Sequence, residues 1–541
     1  MSTPPRTTNM GRHIPFPIFD EPASTSALPA NHFLAQRPVT PPPQSSVIAE
    51  QNWSSRARPD TSTLAAADYD VSVQTGFLPP EEPVQRLGSN IGGGWEKLEE
   101  YLRSAQEAVR TLDGGGVGRI GDEWRASVRE LKQPSLDVLP TLPLLRRAHV
   151  LLSFLGHFYI HSTFPSLSSL PPAIAVPWVA VSDKLGVPPI LSYADTVLWN
   201  WKYVNKSLGL RADNVEITTT FTSSSSERAF FLLSLLCELH APALLRLMSA
   251  TLDESFFADQ LALPRISAYL LQIASITDEL TGIVTSATKG PFGPHGDIEI
   301  IPECFYWEIR PWFNGGKWFY EGVITEEADV VAGGKQMEWG GPSAGQSSLI
   351  HAIDLFLSID HSPRVANSTS SHTTSAPMPP PMRPLSVEKR PDVPASDSTF
   401  MIRASQYMPG HHRSFLQHLS SLHLSSSSNT HPIPSVRTLA LTHRPQLGES
   451  YDVAVRAMKV FRDLHMRLVS VFIITQAKKP PGHGSVFYQG WEEKRLESER
   501  EKAMEAERKG LVKETLMGTG GTALVSFLNE CRERTKEAIL Q

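Results

Sequence analysis

His465 stands in the middle of VAVRAMKVFRDLHMRLVSVFIITQAKK, residues 453–479. At helical spacing Ala454, Ala457, Met458, Phe461, Leu464, Leu468, Val471 and Phe472 form one wide apolar face, which predicts a helix buried against a core. An imidazole on the edge of such a face has two common uses. It is a core histidine satisfied by one hydrogen bond, or it is a ligand to a metal such as haem iron. The helix carries no second ligand at metal spacing, so taken alone it favours the core reading. Arg462, three residues earlier, can place its guanidinium beside whatever the imidazole touches.

Three other groups could do chemistry. Arg310 lies inside FYWEIRPWF, where so many aromatics leave little path to water, so it needs an anionic partner. That partner is Glu303 or Glu308 in a structural ion pair, or a substrate carboxylate held by a bidentate clamp. Gly341-Pro342-Ser343-Ala344-Gly345 matches the G-x-S-x-G elbow of serine hydrolases and runs into a helical pattern. The preceding GGKQMEWG is not the apolar strand that the elbow requires, and a parallel sheet is missing. A turn of small residues before a helix equally suits close approach of a flat ligand. GTGGT, residues 518–522, lacks the dinucleotide-binding spacing and reads as a hinge or the tip of a lid.

The elements that must position these groups are almost all helical. Amphipathic patterns cover 95–112, 144–161, 227–250, 252–286, 349–360, 407–422 and the stretch around His465, and a last helix closes the chain. Pro264 marks a start or kink in the fourth of these. Residues 1–65 and 361–398 are rich in Pro, Ser and Thr and read as a disordered extension and a disordered insertion. Residues 69–87 alternate apolar side chains with prolines and read as a segment lying across a folded body. The polar connection at 218–228 is the expected boundary between a small domain, 66–222, and a large one, 223–541, with a charged lid segment at 480–517.

Composition narrows the function. Net charge is −6, from 50 basic and 56 acidic residues with no basic stripe, which argues against a nucleic-acid partner. Three scattered cysteines exclude a disulfide framework or zinc ribbon and favour a reducing compartment. No uninterrupted apolar run has membrane-spanning length, and a signal-like apolar core is missing from the first residues. The expectation is a cytoplasmic monomer without a membrane partner.

Seven stretches, in order, together resemble the indoleamine 2,3-dioxygenase family: IAVPWVAVSDKLGVPPILSYADTVLWNWK, RAFFLLSLLCEL, FYWEIRPWF with YEGV, GGPSAGQSS with its helix to Asp354, YMPGHHRSFL, FRDLHMRLVSVFI and GTGGT. They span residues 174–522. The resemblance implies an all-α fold of a smaller N-terminal and a larger C-terminal helical domain, with haem b between them. It reverses the reading of His465, which becomes the proximal iron ligand. It sets Arg462 and Asp354 near the haem on its propionate or proximal side, and Ser343 and Ala344 in the turn over the haem edge. Tyr193, Val197 and the neighbouring Thr196 match the indole pocket. Phe230 and Ser234 match the distal aromatic and hydroxyl, Phe305 the aromatic that packs on substrate, Arg310 the carboxylate clamp and Thr519 the lid threonine.

The implied reaction inserts both atoms of O2 across the indole C2–C3 bond of L-tryptophan, giving N-formyl-L-kynurenine as the first step of the kynurenine pathway. An external reductant must keep the haem ferrous. The chain departs from the mammalian pattern at Pro342 and Tyr306, where glycine and a second phenylalanine are usual. Those departures bear on affinity, and they keep open a haem-binding regulator or low-activity homologue of the same fold.

Overall fold

In the computed structural model the described residues are 69–110 (apart from 73), 119–163, 166–222, 224–286, 300–362, 400–424, 432–480 and 524–540. The N-terminal extension, nearly all of the 361–398 insertion, the charged lid segment and GTGGT with Thr519 lie outside them.

The helix α3 (Leu142–His161) follows α1 (Trp95–Arg110) and α2 (Arg119–Arg129), and its sequence is apolar on every side. A helix of that kind must be surrounded by protein. Phe154, Leu155, Phe158 and Ile160 accordingly have no exposed surface. The next helix, α4 (Pro172–Leu185), follows the two-residue strand β1 (Ser169–Leu170). It crosses α3 so closely that a Cβ at Gly156 would sit 2.4 Å from the Trp178 ring. Only glycine permits that approach.

The chain then leaves α-helical geometry. Residues Ala194–Leu198 form a single π-turn, followed by a small antiparallel ribbon of β2 (Trp201–Tyr203) and β3 (Val215–Ile217) with Trp201 opposite Ile217. SYADTVLWNWK, residues 192–202, thus contains a π-turn and the start of a strand instead of a regular helix. The helix expected at 227–250 is also interrupted: α5 (Ser225–Glu238) ends before α6 (Ala241–Phe257) begins. Pro242 explains the break, because its ring lacks an N–H and would collide with the carbonyl four residues back, that of Glu238. By length and composition alone the Ser225–Phe257 stretch could cross a membrane; in the structure it turns at Leu239–His240 and packs its apolar faces inward. Helix α7 (Ala262–Thr285) starts two residues before Pro264.

Two further strands, β4 (Gly316–Glu321) and β5 (Gly334–Trp339), pair antiparallel from Gly316–Trp339 to Glu321–Gly334. β1 adds in parallel to β4, giving the order β1-β4-β5. The stretch before GPSAG is thus a strand, but an amphipathic hairpin edge and not the buried parallel strand of a hydrolase. These pieces decorate a fold that is all-α.

Two hydrophobic cores result, and the chain passes between them repeatedly. Tyr69, Val71 and Phe77 enter the second core, so the first described segment does lie across the body. Residues from Leu78 to Leu235 build the first core, Ala241 to Leu280 the second, and Ile300 to Val323 return to the first. The second core is completed by α8 (Ser348–Phe356), α9 (Gly410–Ser421) and α10 (Glu449–Val469). α10 packs along α7, and α11 (Leu524–Glu537) lies against α10. The handover from first to second core falls at Glu238–Ala241, beyond the polar connection at 218–228.

Candidate active site

α10 presents His465 on its more open half. Ala454, Ala457 and Met458 are sealed in the second core, whereas Phe461, Leu464, His465 and Leu468 are only half-buried. Leu468, on the same face as His465, packs against the first core, so this part of the helix faces the seam between the two. At Ser470 the helix continues as a π-turn, Ser470–Ile474, whose wider turn changes the register. Phe472 is thereby directed inward and Val471 outward, contrary to the single apolar face expected for both.

The imidazole of His465 forms no hydrogen bond with any described residue. Burial, with the neighbouring Arg462 charge, depresses its pKa to about 4. It is therefore neutral at pH 7, with a lone pair not committed to the protein. The core-histidine reading required a hydrogen bond that the structure does not supply. No cluster of three or more His, Cys, Asp or Glu side chains forms a metal site among the described residues. A single open imidazole on a helix at an apolar seam fits haem iron, which brings its own four nitrogens.

Arg462 and Asp354 meet directly. Arg462 Nη2 donates to Asp354 Oδ2 at 2.6 Å and its Nη1 to the Thr535 hydroxyl of α11. His361 Nε2 lies 2.9 Å from the same carboxylate oxygen. Burial opposes ionisation of Asp354, but the charges and hydrogen bonds of Arg462 and His361 outweigh it and hold the carboxyl at about 2. Thr535 escapes sequence reading because it sits 73 residues along the chain from Arg462.

Across the seam stands an aromatic wall. Phe230 of α5 lies 4.7 Å from Phe305, and Phe305 meets Phe472 edge-on at 5.8 Å. Phe313 stacks on Phe230 at 6.0 Å. Phe305 begins another π-turn, Phe305–Ile309, and Arg310 opens the short 3-10 turn that follows. The Arg310 guanidinium lies over the Tyr306 ring at 5.5 Å, and burial lowers its pKa. Glu308, one of its two expected structural partners, instead accepts from Cys304 Sγ at 3.4 Å. Ser234, one turn after Phe230, makes no hydrogen bond with a described residue and is half-buried.

The π-turn at 194–198 packs against α5, the helix that carries Phe230. Tyr193, Thr196 and Val197 are buried there. The Thr196 hydroxyl donates to the carbonyls of Ser192 and Tyr193, so it braces the turn. Asp195 Oδ2 accepts from the Ser192 amide (2.9 Å) and hydroxyl (2.8 Å), while Oδ1 accepts from His149 Nδ1 at 2.6 Å. Ser182 Oγ lies 3.0 Å from His149 Nε2. This Ser–His–Asp series is closed to substrate, since all three residues have zero exposure.

Ser343 caps a 3-10 turn by accepting from the Gly345 amide at 3.2 Å, and Ala344 is exposed. No described histidine hydrogen-bonds Ser343, so the hydrolase reading has no base. Gly341 must be glycine: a Cβ there would lie 1.7 Å from the Phe313 carbonyl oxygen. That contact seats the small-residue loop directly against the aromatic wall.

A sequence profile of the indoleamine 2,3-dioxygenase family matches residues 65–538. The chain belongs to that family. An indoleamine 2,3-dioxygenase of Aspergillus candidus is 27% identical over 88% of this chain and 98% of its own length. A 6-hydroxytryptophan 2,3-dioxygenase of Fusarium equiseti is 28% identical over 87% and 97%, and the Saccharomyces cerevisiae indoleamine 2,3-dioxygenase 26% over 86% and 92%. This member of the indoleamine 2,3-dioxygenase family is an oxidoreductase of the dioxygenase class. Sequence reading missed Phe472 as part of its aromatic wall and Glu238 as a tie beneath Tyr193. An aromatic just past the histidine helix was the available signal for the first.

Proposed function

We propose that the protein is a haem b-dependent dioxygenase that converts L-tryptophan and O2 to N-formyl-L-kynurenine. The observation that carries the reading is the neutral, hydrogen-bond-free His465 on the helix that runs into Phe472 of the Phe230–Phe305–Phe472 cluster, in a chain of this family. His465 would hold the iron, with Arg462 and Asp354 beside it and Ser343 and Ala344 at the haem edge. When bound, the haem supplies the site at which O2 is activated.

The side chains supply orientation. Phe230 and Phe305 hold the indole by apolar contact and ring stacking, with Tyr193, Thr196 and Val197 forming the far wall. Arg310 would hold the substrate carboxylate by charge-assisted hydrogen bonds, and the resemblance gives Thr519 the amino-acid end. The Ser234 hydroxyl is left to point into the distal space. No protein acid or base is needed at the reacting carbons, which accords with a Ser234 that hydrogen-bonds no described residue. Three free cysteines accord with action in the cytoplasm, where a reductant keeps the iron ferrous.

A ring-substituted tryptophan is the second candidate substrate, because one relative is named a 6-hydroxytryptophan 2,3-dioxygenase. Expression with haem supply, an absorbance spectrum and assays of both amino acids test the proposal. A Soret band with formylkynurenine production from L-tryptophan is expected. A Soret band without turnover of either compound would mean a haem-binding regulator instead. Arg310→Ala is expected to lower kcat/KM about 10²-fold through loss of a charge-assisted pair; an unchanged value would remove the clamp assignment.

A further inference from the structure

Glu238 is the last residue of α5 and lies where the chain passes from the first core to the second. With Phe230 and Ser234 it follows an i, i+4, i+8 spacing, so the helix that carries the distal wall also carries this carboxyl. Its Oε1 accepts two hydrogen bonds, from the Tyr193 hydroxyl at 2.9 Å and the Ser347 hydroxyl at 2.7 Å. Its Oε2 is buried with no hydrogen-bond partner among the described residues. Burial pushes the carboxyl up to about 7, against the pull of those two hydrogen bonds.

One oxygen thus joins three elements: the π-turn wall through Tyr193, α5 itself, and the loop entering α8 through Ser347. A second tie runs beside it. Gln346 Oε1 accepts from the Tyr193 amide at 2.9 Å, and Gln346 Nε2 donates to the Gly341 carbonyl at 2.9 Å. Gly341 in turn abuts Phe313 of the aromatic wall. The small-residue loop is therefore fixed on one side by backbone contact and on the other by Glu238 and Gln346.

We propose that Glu238 is a positioning residue that latches Tyr193 to Ser347, sets the distance between the π-turn wall and the small-residue loop, and so selects among tryptophans that differ at the indole ring. The assignment rests on the tryptophan-pocket reading of those two walls. A single carbonyl-type oxygen with two lone pairs can receive both hydroxyls. Glutamine provides the same oxygen and alanine does not.

The test compares holoenzyme carrying Glu238→Gln, Glu238→Ala or Ser347→Ala on L-tryptophan, 6-hydroxytryptophan and 6-methyltryptophan. Glu238→Ala is expected to raise KM about tenfold, the loss of two ordinary hydrogen bonds, with a smaller change in kcat and a changed preference between substituted and unsubstituted rings. Ser347→Ala moves the same quantities less, and Glu238→Gln restores them most of the way. Wild-type substrate ratios in Glu238→Ala, or a Glu238→Gln enzyme as impaired as Glu238→Ala, overturn the proposal. A second arm needs no turnover: urea unfolding of Tyr193→Phe, Ser347→Ala and their double variant, with and without Glu238→Ala. Non-additivity that disappears in the Glu238→Ala background establishes the latch. Additivity throughout overturns it, even where a wild-type enzyme inert toward tryptophan has already removed the functional reading.

Discussion

The proposed role of His465 in holding haem iron requires an unprotonated nitrogen at working pH, and desolvation supplies one by penalising the imidazolium. The nearby Arg462 charge acts in the same direction. That charge is in turn balanced by Asp354, whose carboxyl stays ionised to about pH 2, so Arg462 is never left uncompensated at physiological pH. Removing the imidazole therefore takes away the lone pair without unbalancing the buried ion pair beside it. His465→Ala should fold, with a far-ultraviolet circular dichroism spectrum like the wild type. It should also lose the Soret band and turnover together. Retention of full haem after gel filtration would show that the iron is held elsewhere.

The site depends on short segments where the helix changes pitch. Three π-turns, at 194–198, 305–309 and 470–474, carry or flank Tyr193, Phe305 and Phe472. Each widens the turn and re-aims its side chains, a use typical of functional sites. The turn at 194–198 is held by Asp195, which accepts three buried hydrogen bonds from Ser192 and His149. Asp195→Ala strands those donors in a dry interior. A loss of about 2–4 kcal/mol in urea unfolding is expected, with a raised KM for substrate as the Tyr193 wall loosens. A variant as stable as wild type would show that the turn holds without its carboxylate. These segments also mark how far the sequence could be read. The periodic apolar faces of α3, α7 and α10 were legible, and the resemblance singled out His465 for the test above. The π-turns were not, because apolar spacing over five residues does not separate them from an α-helix. β4 and β5 escaped notice because GKWFYE and GKQMEW alternate only against each other. Glu238–Tyr193 and Arg462–Asp354 are pairings across long stretches of chain, which no local pattern encodes.

At the scale of the whole molecule, several histidines are buried or half-buried on helices of both cores and held neutral. His157 and His161 lie on α3 in the first; His412 and His418 lie on α9 in the second, and His351 on α8. Burial depresses all five: His161, His351 and His418 to about 4, His412 to about 3, and His157 well below its usual range. The unfolded chain protonates them near 6.5, so as pH falls below that value it binds protons that the folded state refuses. Stability from these groups is complete above about pH 6.5 and is lost as pH falls toward 4. Glu238 works in the opposite sense. Its folded pKa of about 7 exceeds the ordinary 4.5, so its share of stability is present at low pH and is lost as pH rises to 7. Each such group contributes up to about 1.4 kcal/mol per pH unit within its window. These five histidines, joined in the haem-free protein by His465, stand against one glutamate and decide the sign: acid destabilises. Urea unfolding of the haem-free protein should give a free energy that falls steeply from pH 6.5 to pH 4.5. A flat or rising profile over that interval would mean that these histidines enter the folded state already charged.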